Sequence, residues 1–118
     1  SKEFIGYITD LTKLKLKHRA VDIAGSMYRN TDFLLCHDDK LEGRKIAYLF
    51  YLSDLTLKQG GSLNLFSSKN CLPDKIVKKI TPRFNTFAFF EVSPISFHEV
   101  EEVLADKQRI AIGGWFHG

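Results

Sequence analysis

Hydrophobic and polar residues alternate with a period of two over much of the chain, which is typical of β-strands with two different faces. The first such stretch covers residues 21–28, in which Val21, Ile23 and Met27 share one side. The other side carries Asp22, Ala24, Ser26 and Tyr28. Turn-forming residues occupy positions 29–32, and this pattern predicts a strand over 21–28.

Further short strands are predicted between segments rich in Gly, Pro, Asn and Asp. Their predicted ranges are 33–37, 44–52, 62–66, 76–80, 86–92, 97–100 and 109–117. The run 44–52 is apolar on both faces, which indicates an inner strand that is buried on both sides. Residues 67–75 are predicted to form a loop. The lysines at positions 75–79 predict a solvated edge strand, because lysine at a sheet edge discourages aggregation.

A different period occurs at the start of the chain. Phe4, Ile8 and Leu11 have helical spacing, which predicts a short helix over residues 2–11 against the edge of a sheet. Only this helix accompanies the seven or eight short strands, and neither a repeat nor an internal linker is visible. The pattern therefore predicts a single mainly β domain over 1–118, a sandwich or double-stranded β-helix of the jelly-roll kind.

Composition narrows the class of protein. The 118 residues are 44% hydrophobic and 13% aromatic, which favours a globular domain over a disordered chain. The net charge is +3, and the basic residues do not form a stripe interleaved with aromatic residues. This distribution disfavours nucleic-acid binding. No stretch approaches the ~20 apolar residues of a membrane span.

The two cysteines, Cys36 and Cys71, do not form a disulfide framework, so we expect both to be reduced and to have no role in the chemistry. A reducing, intracellular compartment is therefore expected. The first residue is not Met, and we expect the chain to be part of a longer protein.

A polar cluster, Cys36-His37-Asp38-Asp39, ends the apolar run before it. In an extended strand, residues i and i+2 point to the same side, so His37 and Asp39 can present an imidazole and a carboxylate together. On its own the cluster is typical of a polar strand end. It becomes a candidate metal site if His98 supplies a third ligand.

Two His and one Asp bind one face of a metal and leave about three positions open, which is typical of non-haem Fe(II) oxygenases. The absence of thiolates from this set disfavours a closed structural zinc site. Arg109, on the strand after His98, offers a planar fork for a carboxylate. Tyr51 can add a phenol hydrogen bond to the same group. The set therefore suits Fe(II) together with a dicarboxylic keto acid.

The motifs around these residues resemble, in order and at compatible spacing, those of the Fe(II)/2-oxoglutarate-dependent prolyl hydroxylases. The matching segments are Leu34-Leu35-Cys36-His37-Asp38-Asp39, 41–47, Tyr51-Leu52, Gly60-Gly61-Ser62-Leu63, 89–94, 96–100 and 109–118. Within the family they are most similar to the eukaryotic ribosomal prolyl 3-hydroxylases, which modify a small-subunit ribosomal protein of the decoding centre. Members of that branch usually carry a longer N-terminal helical region and often a second, catalytically silent jelly roll, and we expect neither within these 118 residues.

The resemblance implies a role for each candidate residue. The implied iron ligands are His37, Asp39 and His98. The implied residues of the 2-oxoglutarate pocket are Arg109, Tyr51, Tyr28 and Leu63, with Arg109 on the 5-carboxylate. Trp115 is implied to form a pocket wall near the iron.

The resemblance also implies Fe(II), 2-oxoglutarate and O2 as reactants, with ascorbate as a stimulant. The implied partner is a small-subunit ribosomal protein that contains the target proline. The implied location is the nucleus and cytoplasm. We expect no direct binding to nucleic acid or to a membrane. Two alternatives remain open at this point. The same chemistry could act on another proline, as in a transcription factor, or the jelly roll could be a binding module without catalysis.

Overall fold

Strands make up most of the part of the chain that the structure describes. The computed structural model describes residues 3, 7, 9, 10 and 12 and the continuous stretch 21–118. Its elements are β1 Val21–Tyr28, β2 Leu34–His37, β3 Arg44–Tyr51, a 3-10 turn Leu57–Gln59, β4 Leu63–Lys69, β5 Leu72–Ile80, β6 Phe87–Glu91, β7 His98–Val100 and β8 Arg109–His117. The predicted mainly β class is confirmed. The helix predicted over 2–11 lies largely outside the described residues and stays a prediction.

The described strands form two antiparallel sheets with the order of a jelly roll. The first sheet has the order β1-β8-β3-β6 and the second β2-β7-β4-β5. The strands pair as if one long hairpin had been wrapped into a sandwich, namely β4 with β5, β3 with β6, β2 with β7 and β1 with β8. This nested pairing places His37 of β2 directly opposite His98 of β7.

β3 is the inner strand that its sequence predicts. It lies between β8 and β6 in the first sheet, and its side chains Ile46 and Tyr51 are both 0% exposed. Ile46 packs with Phe116 in one apolar cluster, while Tyr51 packs with Ala111 in another. Ile46 and Tyr51 are separated by an odd number of positions, so their side chains point to opposite faces of β3, and the strand is buried on both faces. No helix among the described residues is long and apolar enough to cross a membrane.

The prediction of a loop over residues 67–75 is wrong. β4 continues to Lys69 and β5 begins at Leu72, so the two strands form a hairpin through Asn70 and Cys71. Both turn residues have positive φ, 54° and 61°, which suits a two-residue hairpin because it matches the twist of the strands. The sequence lacks the Asn-Gly pair that usually marks such a turn. β5 is the predicted edge strand, and almost all of it is exposed.

A tight turn at Gly60 and Gly61 precedes β4, with φ values of 77° and 72°. A Cβ atom on Gly60 would lie 2.1 Å from the backbone oxygen of Glu102. We expect Gly60→Ala to lower the free energy of unfolding by about 2 kcal/mol or more, because left-handed backbone alone costs an L-residue about 1–2 kcal/mol. Urea denaturation of the variant and the parent measures the difference.

Gly25→Ala is the matched control for this prediction. Gly25 lies in β1, and a Cβ atom built there has no neighbour within 4 Å. Its replacement should leave the urea midpoint unchanged or slightly raised, since alanine has less backbone freedom than glycine in the unfolded chain. Equal losses of stability in the two variants would contradict the proposed clash.

Candidate metal centre and adjoining cavity

Three potential metal ligands from two strands converge at one point. His37 ends β2, Asp39 follows it by two residues, and His98 begins β7. The Nε2 atom of His37 lies 3.1 Å from Oδ1 of Asp39, and the Nε2 atom of His98 lies 3.1 Å from its Oδ2. The ligand atoms of all three side chains lie within 4.8 Å of one another. Each imidazole therefore contacts a different oxygen of the same carboxylate, and the two rings lie against each other with their centroids 4.2 Å apart.

Backbone carbonyls orient both imidazoles. Nδ1 of His37 lies 2.7 Å from the carbonyl oxygen of Leu35, and Nδ1 of His98 lies 2.8 Å from that of Ser96. A carbonyl can only accept, so the proton of each ring sits on Nδ1 and Nε2 is left for a metal. Nε2 can donate a hydrogen bond to Asp39 only when the ring carries a second proton, that is, when the histidine is positively charged.

The backbone turns sharply at Asp39, which has φ 60°. Aspartate tolerates this left-handed conformation better than most residues. Asp38 does not belong to the converging group, and its Oδ1 accepts a hydrogen bond from the backbone N–H of Lys40 at 3.0 Å.

The three side chains shift one another's protonation. Burial tends to raise the pKa of Asp39, but the hydrogen bonds from His37 and His98 outweigh it and hold that pKa well below its usual range. The hydrogen bond to Asp39 raises the pKa of His37, against the smaller opposing effect of burial. Asp39 is therefore ionised at neutral pH, and His37 holds its proton to a higher pH than an isolated histidine.

Metal affinity should consequently fall in mild acid. A metal must displace the Nε2 proton of His37, so we expect the apparent Kd for Mn(II) to rise up to about tenfold for each unit that pH drops below the pKa of His37. Calorimetric titrations at several pH values across the histidine range measure this slope. His117→Ala should show the same slope, because His117 pairs with Asp22 outside the triad. A pH-independent Kd would contradict the assignment of His37 as a ligand.

A cavity of about 250 Å³ lies between the two sheets, and the triad forms part of its wall. Arg109, on β8, forms another part. Arg109 is 1% exposed, and its Nε donates to the backbone oxygen of Gly61 at 2.7 Å. Its Nη2 lies 3.4 Å from the hydroxyl of Tyr51. The guanidinium is thus fixed in orientation at the cavity wall.

No acidic side chain among the described residues forms an ion pair with Arg109. Burial lowers the pKa of Arg109, yet a guanidinium remains charged in proteins. The rings of Tyr28 and Tyr51 lie 5.0 and 5.1 Å from its central carbon and partly stabilise the charge. A buried cation that faces a cavity without a counter-ion favours the binding of an anion.

The other candidate residues of the predicted 2-oxoglutarate pocket lie at or next to the same cavity. Tyr28, Leu63 and Trp115 all line the cavity. Tyr51 contacts Arg109 instead of lining the cavity wall itself, and burial raises the pKa of its phenol. Tyr51 therefore keeps its phenol proton at neutral pH.

Two residues of the cavity wall, Trp115 and His98, have aromatic contacts that the sequence did not predict. The guanidinium carbon of Arg44 lies 3.5 Å from the centre of the Trp115 ring, a close cation–π contact. The ring of Phe90 lies 4.7 Å from that of His98. Arg44 and Trp115 are far apart in the sequence, and no local motif marks either contact, so only the fold reveals them.

The residues present fit a divalent metal with open coordination positions. The described residues supply two imidazole nitrogens and one carboxylate oxygen, without a thiolate, which is the ligand set of non-haem Fe(II) sites. Both imidazoles have the tautomer that a metal requires. Arg109, in the wall of the same cavity, fits the carboxylate of a small keto acid.

Comparison with known proteins extends this interpretation. A family model described as "2OG-Fe(II) oxygenase superfamily" matches residues 23–117. The prolyl 3-hydroxylase OGFOD1 of Xenopus laevis is 47% identical over 99% of this chain, and that of Mus musculus is 42% identical over 99%. The chain spans 23% and 22% of the lengths of these relatives.

Solved structures show the same fold. A prolyl-4-hydroxylase of Pseudomonas putida superposes with a TM-score of 0.76 over 98% of this chain and 61% of that chain. Because the two sequences are 23% identical, this similarity concerns the jelly roll and not the substrate.

Proposed function

The chain belongs to the 2OG-Fe(II) oxygenase superfamily, and on this premise we propose that it hydroxylates a prolyl residue of a protein with Fe(II), 2-oxoglutarate and O2. The observation that carries the proposal is one cavity whose wall holds both the His-Asp-His triad and a buried arginine without an acidic partner. The relatives named prolyl 3-hydroxylases support carbon 3 of the proline as the position modified.

The triad would hold Fe(II) through Nε2 of His37, Nε2 of His98 and a carboxylate oxygen of Asp39. When bound, Fe(II) supplies the site at which O2 is reduced, 2-oxoglutarate is converted to succinate and CO2, and one oxygen atom enters a C–H bond. The depressed pKa of Asp39 keeps a negative charge among the ligands. The carbonyls of Leu35 and Ser96 prevent rotation of the two imidazoles.

Arg109 would bind and orient the distal carboxylate of 2-oxoglutarate. Its Nε is already occupied by the oxygen of Gly61, so the terminal N–H groups of the guanidinium are the ones available to the ligand. The hydroxyl of Tyr51 would donate a further hydrogen bond to the same carboxylate. This pairing selects a dicarboxylic keto acid over a monocarboxylic one, because only the former satisfies the buried charge.

Apolar side chains in the wall that the triad and Arg109 share would exclude water from the cavity. Leu49, Leu63 and Val100 line the cavity, and Leu63 and Val100 are both buried. Exclusion of water strengthens the electrostatic interaction of Arg109 with a bound carboxylate. It also prevents side reactions at the metal.

For the protein substrate we propose a small-subunit ribosomal protein of the decoding centre, in the nucleus and cytoplasm. The order of the motifs in segments 34–39, 60–63 and 96–100 supports this choice through their similarity to the ribosomal branch of the family. Because the chain spans about a quarter of the length of its relatives, we also propose that it is one oxygenase domain of a longer protein that includes a second jelly roll.

The test is mass spectrometry of a peptide from the decoding-centre protein after incubation with the protein, Fe(II), 2-oxoglutarate and ascorbate. We expect a gain of one oxygen atom on one proline. The same peptide with that proline replaced by alanine is the control and should remain unmodified. A gain on a transcription-factor proline peptide but none on the ribosomal one would remove the ribosomal assignment and leave the chemistry intact.

The contrasting hypothesis is a jelly-roll binding module without catalysis. The intact triad and the buried Arg109 argue against it, because a module without catalysis has no need for an uncompensated buried cation. Succinate formation separates the two hypotheses. A protein that binds the peptide but converts no 2-oxoglutarate would support the binding module.

A further inference from the structure

Ser96 connects the two segments that carry the triad. It lies in the turn between β6 and β7, two residues before His98. Its hydroxyl oxygen lies 2.6 Å from the carbonyl oxygen of Asp38, the residue between His37 and Asp39. Its own carbonyl oxygen accepts the Nδ1–H of His98 at 2.8 Å. One residue therefore contacts both halves of the site.

The hydroxyl of Ser96 has one donor and two acceptors within hydrogen-bond distance. It accepts a hydrogen bond from the backbone N–H of Ser93 at 3.0 Å. A hydroxyl has one proton to donate, and the carbonyl oxygens of Asp38 and Ser93 lie at 2.6 and 2.8 Å. The contact with Asp38 is the shorter, and it is the one that joins parts of the chain distant in sequence.

We propose that Ser96 is a positioning residue for the metal site, acting through its hydroxyl on the loop of Asp38. The hydroxyl fixes the backbone between His37 and Asp39 relative to β7, and thereby sets the distance from these ligands to His98. The inference rests on the proposed function to the extent that the triad binds a metal. Partners that orient metal ligands in this indirect way commonly raise metal affinity by about 10–100-fold.

The neighbouring Ser93 provides a matched control. Its hydroxyl accepts the backbone N–H of Ile95 at 3.2 Å, within the same turn. Among the described residues, no hydrogen bond of that hydroxyl reaches the loop of Asp38. A role in the turn alone should therefore appear in both serine variants, whereas a role in positioning the ligands should appear only in Ser96 variants.

The experiment is calorimetric titration of the metal-free protein with Mn(II), for the parent, Ser96→Ala, Ser96→Thr and Ser93→Ala. We expect Ser96→Ala to raise the Kd for Mn(II) about tenfold or more, and Ser96→Thr, which keeps the hydroxyl, to stay within about twofold of the parent. Ser93→Ala should bind as the parent does. Urea midpoints of the metal-free proteins are measured in parallel.

Three outcomes would overturn the inference: parental affinity in Ser96→Ala, an equal loss of affinity in Ser93→Ala, or an unfolded Ser96→Ala protein, which would make the hydroxyl a requirement of the fold. Absence of Mn(II) binding by the parent would instead remove the metal site, and the proposed function with it. Failure of peptide hydroxylation alongside the expected Mn(II) affinities would remove only the proposed function.

Discussion

Replacement of His98 by alanine is expected to reduce the formation of succinate from 2-oxoglutarate by more than ~100-fold. His98 is 4% exposed and supplies one of three ligand atoms. Removal of this ligand should lower activity by more than the ~10–100-fold that follows from removal of a residue that only orients a ligand. The measurement is succinate production with added Fe(II) and ascorbate, together with the Kd for Mn(II).

His117→Ala is the control for the removal of a histidine. His117 pairs with Asp22 at the edge of the first sheet and takes no part in the triad. Its variant should therefore produce succinate at the parental rate. Equal turnover by His98→Ala and the parent would refute the catalytic assignment of the triad.

Replacement of Arg109 by methionine should have the second large effect, on the affinity for 2-oxoglutarate. Two charge-assisted hydrogen bonds at about 1.5 kcal/mol each correspond to a Kd roughly 100-fold higher. Methionine fills a similar volume without leaving a buried charge unpaired. The Kd of Arg109→Lys for 2-oxoglutarate should lie between those of the parent and Arg109→Met, because an ammonium keeps the charge but cannot reproduce the planar fork. Calorimetric titration with 2-oxoglutarate in the presence of Mn(II) gives each Kd.

A keto acid without the distal carboxylate tests whether the effect arises at the proposed contact. The parent should bind 2-oxopentanoate weakly, and Arg109→Met should bind it no more weakly than the parent does. If the variant lost affinity for both acids to the same degree, Arg109 would support the fold of the cavity and not the carboxylate. Parental affinity of Arg109→Met for 2-oxoglutarate would contradict the assignment directly.

The sequence predicted those parts of the structure that have strong local signals. The apolar run 44–52 has no polar face, and it forms the inner strand β3. The segment Gly60-Gly61-Ser62-Leu63 carries part of the family resemblance, and the carbonyl of Gly61 accepts a hydrogen bond from Arg109. The candidate ligands His37, Asp39 and His98 converge in space, although their role as ligands stays a prediction.

The parts that escaped prediction depend on contacts between distant residues. A loop is predicted over residues 67–75, but pairing with β5 extends β4 to Lys69. No local pattern marks the role proposed for Ser96, because that role depends on a carbonyl far away in the chain. Hydrogen bonds to backbone atoms are invisible to side-chain patterns, and they hold both imidazoles here.

The nested pairing of the strands has a consequence for the order in which the site can form. The β4–β5 hairpin closes a two-residue turn, whereas β3 with β6, β2 with β7 and β1 with β8 close progressively longer loops. Since closure entropy increases with loop length, we expect the chain to assemble from this hairpin outward. His37 and His98 meet only at the third of these closures. A metal that needs both ligands would therefore bind late in folding and stabilise only the nearly complete jelly roll.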